Sequence, residues 1–114
     1  MSSLSAALAR FVVQYHARTE LVAEQRGWDC VVVLAATDTD DRLTVCVEDG
    51  RIVAVRNGEE PARLVIRADR QTLFDILELR RGPNEPYLFG ELTVHGAEAD
   101  FVRLDYITES LCPH

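Results

Sequence analysis

The sequence predicts an α+β fold of two layers: a mostly antiparallel five-stranded sheet with helices packed on one face. Two observations carry this. An Asp49-Gly50 pair joins two alternating apolar runs, and apolar stripes of helical period lie at both ends of the chain, bracketing the extended segments. With 114 residues, 47% hydrophobic and 27% charged, the chain suits one domain over residues 1–114 whose core needs neither disulfide nor metal.

The first element spans Ser3 to Arg26. Leu4, Leu8, Phe11 and Tyr15 recur at spacings of four, three and four, and Val12 and Val22 widen the stripe. Ser3 or Ser5 is the expected N-cap and Gly27 the residue that ends the helix. From Trp28 to Ala36 the pattern turns extended, and its apolar residues on both parities predict an inner strand. After a polar turn at Thr37–Asp41, the runs 42–48 and 51–56 form a hairpin about Asp49-Gly50. With those two residues as the loop, Glu48 faces Arg51, Val47 faces Ile52 and Val45 faces Ala54. Leu43, Val45, Val47, Ile52 and Ala54 then share a core face. Thr44, Cys46, Val53 and Val55 share a half-solvated one.

A turn at 57–61 leads to a strand over Ala62–Arg67 that places Leu64 and Ile66 inward. Asp69 is the expected cap of a short helix to about Leu79, carrying Leu73, Phe74 and Leu77 on one face. Pro83 and Pro86 break the chain. Glu91–His95 forms a last strand between Gly90 and Gly96, and Ala97–Leu111 a closing helix with Phe101, Leu104, Ile107 and Leu111 on one side.

Composition narrows the function classes. A net charge of -7 repels phosphate backbones and anionic lipid surfaces, so nucleic acid is not an expected partner. The longest apolar run, Cys30 to Ala36, is far below the roughly 20 residues of a spanning helix, so no stable membrane insertion is expected. Met1–Ser5 has neither a basic nor an apolar leader pattern, and Cys30, Cys46 and Cys112 read as free thiols, which together predict a cytoplasmic protein. His16, His95 and His114 are scattered, so no metal site is expected. There is no Gly-rich phosphate loop, nucleophile elbow or zinc signature. No cofactor and no catalytic residue are assigned.

The segment Tyr87-Leu-Phe-Gly-Glu-Leu-Thr-Val-His-Gly96, after a helix and a Pro/Asn break and before a closing helix, resembles the sterol carrier protein type 2 family. The upstream hairpin Val-Glu-Asp-Gly-Arg-Ile and the Leu-Val-Ile strand feeding an Asp-started helix are similar too, so the resemblance runs from about Trp28 to Leu111. It implies a carrier for a hydrophobic small molecule: a fatty acyl chain, acyl-CoA, a sterol or a polyketide-like compound. The ligand would lie in an apolar pocket between sheet and helices, with Phe89, Leu92 and Val94 on the motif strand and Phe101, Leu104 and Ile107 on the covering helix. Phe11, Tyr15, Val45, Phe74 and Leu77 complete the expected lining, and Arg103 and Tyr106 the polar mouth. Glu91, where lipid-transferring members often carry lysine, and the overall acidity favour a binder over a membrane shuttle.

Other readings of the same residues stay open. Arg103 either holds a ligand carboxylate or phosphate, or pairs with Asp100 three residues away at the surface. Arg80 and Arg81 either favour a helix dipole or dock an anionic headgroup. The Asp100, Arg103, Asp105 and Tyr106 cluster also suits a cyclase-like biosynthetic enzyme using the same pocket. A filled core would suit a protein-interaction scaffold, and the exposed Val53 and Val55 could support a homodimer.

Overall fold

A computed structural model describes residues 3–113. Ser3 caps the first helix, α1 (Leu4–Ala17), by accepting the Ala6 N–H at 3.0 Å, and Leu4, Ala7, Leu8, Phe11 and Tyr15 form its buried stripe. The helix does not run on to Arg26 as its period suggests. It breaks at Arg18 (φ -90°, ψ 76°) and restarts as α2 (Thr19–Glu24). The physical reason lies in the stripe itself. In a continuous helix Arg18 follows Tyr15 by three and would enter the core. The break turns it outward, where its guanidinium donates to the Ser110 carbonyl at 3.2 Å.

The sheet comprises β1 (Cys30–Ala36), β2 (Arg42–Glu48), β3 (Arg51–Asn57), β4 (Leu64–Ala68) and β5 (Leu92–Gly96), in the order β3-β2-β1-β4-β5. Every neighbouring pair is antiparallel except β1 with β4, which is parallel. Parallel neighbours require a crossover, and residues 58–63 supply it across the back of the sheet. This segment explains why β1 is buried on both parities. Thr44, fully buried on the back face, donates its hydroxyl to the Gly58 carbonyl at 2.7 Å and accepts the Glu60 N–H at 3.2 Å. Glu59 meets Arg42 and Arg67, each at 3.6 Å, and Arg56 meets Glu60 at 2.6 Å. The back face is therefore covered at its centre, not half-solvated there.

Asp49 and Gly50 form the expected turn, with φ of 51° and 79°, the two positive values of a type I′ hairpin. Glu48 faces Arg51 and Val47 faces Ile52 as the turn dictates, but a bulge follows between Cys46 and Val47. Val53 is the extra residue. Beyond it Ala54 lies opposite Cys46 and Val55 opposite Val45, so the two exchange faces relative to the ideal register.

Asp69 caps α3 (Arg70–Leu77) by accepting the Thr72 N–H at 2.9 Å. The break at Pro83 and Pro86 contains one short helix, α4 (Asn84–Leu88). The closing helix is α5 (Glu98–Leu111). Gly96, before α5, lies so close to β4 that a Cβ there would stand 2.2 Å from the Arg63 carbonyl oxygen. The helices lie on the face formed by Val32, Leu34, Val45, Val47, Leu64, Ile66 and Leu92, and the core lies between the two layers.

Candidate functional site

The core is not completely filled. A cavity of about 70 Å³ lies between the sheet and the helices. The sheet supplies Val32, Leu34, Val45, Val47, Ile52 and Ile66 as its floor, all on the core face by strand alternation. From the helices come Leu8, Phe11 and Tyr15 of α1, Leu73, Ile76 and Leu77 of α3, and Leu104, Ile107 and Thr108 of α5, and Trp28 and Pro83 complete the lining.

The wall is apolar because its few polar groups are engaged elsewhere. The Tyr15 hydroxyl donates to the Gly50 carbonyl, and burial holds its pKa above the ordinary value against the lowering effects of Arg103 and Arg51. The Thr108 hydroxyl lies 3.0 Å from both the Leu104 and Asp105 carbonyls of its own helix. An apolar cavity of this kind stays dry, since a water needs two to four polar partners. Such a space favours an apolar guest.

Around this space α5 is tied down by polar contacts at its edges. Arg103 donates to Gln25 Oε1 at 2.6 Å and lies over the Trp28 ring at 5.5 Å, while Gln25, only 2% exposed, donates to the Leu21 carbonyl. Tyr106 donates to Glu24, and Asp105 accepts the Asn84 N–H at 3.2 Å. Burial raises the Asp105 pKa, against the lowering effect of that N–H.

Asp100 is the buried charge of the helix, 4% exposed. Its Oδ1 accepts the Trp28 indole N–H at 3.0 Å. Its Oδ2 lies 2.8 Å from Arg63 Nε but outside hydrogen-bonding angles, so this is a charge contact and not a directed bond. Burial, and then the Asp100 carboxylate, push the neighbouring Cys30 thiol up to about 11, although Arg63 opposes this.

Of the residues expected to form the pocket, Phe11, Tyr15, Val45, Leu77, Leu104 and Ile107 lie in the cavity wall. Four do not. Phe89 is 76% exposed, because the chain turns out at the end of α4 before entering β5. Leu92 is buried in β5, one strand beyond the floor. Phe101 packs on Tyr87 at 5.1 Å between ring centres, under α4. Phe74 is half-buried against the edge of the core, outside the cavity wall, with the guanidiniums of Arg70 and Arg80 over its ring at 5.8 and 5.7 Å. Arg103 and Tyr106, expected at a mouth, serve instead as tethers of α5. Asp100 and Arg103 do not pair, since Asp100 reaches Arg63 and Trp28. Arg80 meets Asp75, and Arg81 meets Glu85 and Glu91, so both arginines have carboxylate partners. Sequence reasoning missed Leu8, Val32, Leu34, Val47 and Ile66, although the same periodicities contained them, and missed Pro83, for which no periodicity exists.

Comparison with solved structures locates the fold among known proteins. The chain is similar to sterol carrier protein 2 of Aedes aegypti in complex with palmitate, at 15% identity and a TM-score of 0.71, covering 96% of this chain and 98% of that one. It is similar to a crystal structure of sterol carrier protein 2 at 19% identity and a TM-score of 0.70, covering 93% and 90%. It is also similar to UbiJ-SCP2, a ubiquinone synthesis protein, at 14% identity and a TM-score of 0.69, covering 95% and 94%. No protein-family model and no curated protein matches the sequence. The chain has the α+β fold of sterol carrier protein 2.

Proposed function

We propose that a chain with this fold and this interior is a carrier for one hydrophobic small molecule, a fatty acyl chain, acyl-CoA, a sterol or a polyketide-like compound. The observation that carries the reading is the almost wholly apolar cavity between the sheet and the helices. The palmitate complex of the Aedes aegypti protein supports it, since the match spans nearly the full length of both chains. Transfer of each ligand methylene from water contributes about 0.8 kcal/mol, enough for useful affinity without any polar anchor in the wall.

At about 70 Å³ the cavity is small for the ligands proposed. An apolar cavity of ~150 Å³ accommodates benzene, so a long acyl chain needs the layers to part. The inward contacts of α5 are Phe101, Leu104, Ile107 and Leu111, and it is held at its edges by Arg103 on Gln25 and Trp28, Tyr106 on Glu24 and the buried Asp100 on Trp28. In this reading residues 1–114 act as one carrier domain in the cytoplasm. Free thiols and the lack, among the described residues, of a helix long and apolar enough to cross a membrane are consistent with that setting.

Delipidated protein is the material for the test. Native mass spectrometry and thermal-shift measurements with fatty acids, acyl-CoA, sterols and polyketides should show one ligand bound per chain. Stabilisation at a hundredfold excess over Kd should be about 2.7 kcal/mol. If no member of the four classes bound or stabilised the protein, the carrier reading would be abandoned.

A further inference from the structure

Of the eight large apolar side chains exposed among the described residues, four lie where α4 meets α5: Tyr87, Leu88, Phe89 and Val102. Exposed apolar side chains scattered singly need no explanation, but a cluster of them marks an interaction surface. A groove of about 220 Å³ runs between the two helices, lined by Tyr87 of α4, Val94 of β5, and Glu98, Phe101, Val102 and Asp105 of α5. The Tyr87 ring rests on the buried Phe101 ring, so the apolar side of the groove is fixed to the core. Leu88 and Phe89, 71% and 76% exposed, follow Tyr87 and extend the apolar surface at the end of α4.

The charge along this groove has one sign. Glu98, Asp105 and Glu109 share one side of α5 with Val102 by helical spacing, and form no ion pair among the described residues. Asp105 Oδ1 accepts the Asn84 N–H, and Glu109 Oε1 stands 2.1 Å from where a Cβ of Gly82 would lie, so both carboxylates face the α4 segment. No arginine lines the groove, and Arg81, just before α4, is held by Glu85 and Glu91. The opposite side of α5 supplies Leu104, Ile107 and Thr108 to the apolar cavity.

These charges select the occupant. An isologous contact with a second copy would set the three carboxylates against themselves, in a chain whose net charge is already -7. An anionic bilayer would be repelled in the same way. A basic helix is complementary instead. Glu98, Asp105 and Glu109 lie about 10 Å and about 6 Å apart along α5, and a helix laid beside it has the same rise per residue. Cations at its own seven- and four-residue spacings then meet the carboxylates in register, while the apolar side chains between them enter the groove.

We infer that the α4–α5 groove docks a basic amphipathic helix of a partner protein. Its apolar side chains pack on Tyr87, Leu88, Phe89 and Val102, and its lysines or arginines meet Glu98, Asp105 and Glu109. The surface stands apart from the carrier reading, although the partner would sit on the outer side of a helix whose inner side lines the cavity.

The probe is a synthetic helix of about fourteen leucine and lysine residues in amphipathic order, roughly four turns long. Its counterpart with glutamate for every lysine is the comparison. Calorimetry gives the affinities, and amide chemical shifts of the protein locate the contact. The lysine helix should bind at least about tenfold tighter than the glutamate one, with shifts centred on Tyr87 and Val102. The preference should shrink on raising the salt, because Glu98 and Glu109 are exposed. Phe89→Ser and Glu98→Gln should each weaken the lysine helix several-fold. Val13→Ser, at another exposed apolar position on α1, and Glu20→Gln on α2 should leave it unchanged. Equal binding of the two helices, shifts centred on another face, or equal losses in all four variants would overturn the assignment. So would a dimer in sedimentation that Phe89→Ser dissolves, which would give this face to a second copy. Phosphatidylcholine vesicles that bind the unaltered protein but not Phe89→Ser would give it to a membrane, and overturn the assignment equally. Each of these results leaves the carrier reading intact.

Discussion

Gly50→Ala is the substitution whose effect the geometry defines most closely. Gly50 sits at φ 79° in the hairpin turn, and an added Cβ would stand 2.6 Å from the Gln25 carbonyl oxygen, 2.8 Å from its carbon and 2.9 Å from its Cβ. The left-handed conformation alone costs an L-residue roughly 1–2 kcal/mol. The clash is with backbone on one side, so it cannot be relieved by rotating a side chain. To relieve it, the turn must move away from α2, and the Tyr15–Gly50 hydrogen bond at the cavity wall stretches with it. A strained or lost buried hydrogen bond adds about 1 kcal/mol, so a total near 2–3 kcal/mol is expected. Gly27→Ala provides the control. Gly27 has φ 88° with no atom within 4 Å of the added Cβ, so only the conformational cost applies. Urea unfolding of both variants measures the difference, with Gly50→Ala expected to be less stable than Gly27→Ala by at least about 1 kcal/mol. Equal losses would refute the packing of the hairpin turn on Gln25, and with it the account of how that end of the cavity is closed.

Further expectations follow from the same geometry. Leu73→Ala should cost about 2–5 kcal/mol by enlarging the cavity, with benzene restoring part of the melting temperature; a loss under about 1 kcal/mol would mean that the site collapses. Trp28→Phe removes the donor to the buried Asp100 Oδ1 and should cost about 1–3 kcal/mol. Asp100→Leu in the Trp28→Phe background should then cost less than in the native chain, and additive losses would contradict the pairing. His16 accepts from Ile52 only when neutral, and burial followed by the Arg51 charge lowers its pKa from 6.5. Its contribution is therefore complete above pH 6.5 and lost as the pH falls through the depressed folded value. The denaturation midpoint should fall less steeply on acidification in His16→Phe than in the native chain, and parallel pH profiles would refute the role. Cys30, held up to about 11, should alkylate at least tenfold more slowly at pH 8 in the folded than in the denatured protein, and equal rates would contradict its burial.

Local chemistry made much of the fold legible. Asp49-Gly50 specified a type I′ hairpin, Asp69 and Ser3 their helix caps, and the periods of α1, α3 and α5 their inward faces, because each depends on residues within a few positions of one another. The register of the hairpin was readable as far as Ile52. The bulge at Val53 was not, because a bulge depends on what the edge strand meets and not on its own alternation. The same holds for the break at Arg18, whose partner, the Ser110 carbonyl, lies 92 positions away in the chain.

The candidate site divides along the same line. That Phe11, Tyr15, Leu77, Leu104 and Ile107 face inward follows from period alone. Phe89 and Phe101 are placed by α4, an element that two prolines concealed, and Leu92 by β5 at the sheet edge, and all three lie outside the cavity wall. The parallel pairing of β1 with β4, the cover over Thr44, the burial of Asp100 against Trp28 and Arg63, and the grouping of Arg26 with Arg51 all join residues fourteen or more positions apart. Sequence spacing carries no distance information at that range. By itself the sequence determined which faces are apolar and where the turns fall; the tertiary structure decided which apolar faces leave a space between them and which charges have no partner, because both depend on packing between elements that are remote in the chain.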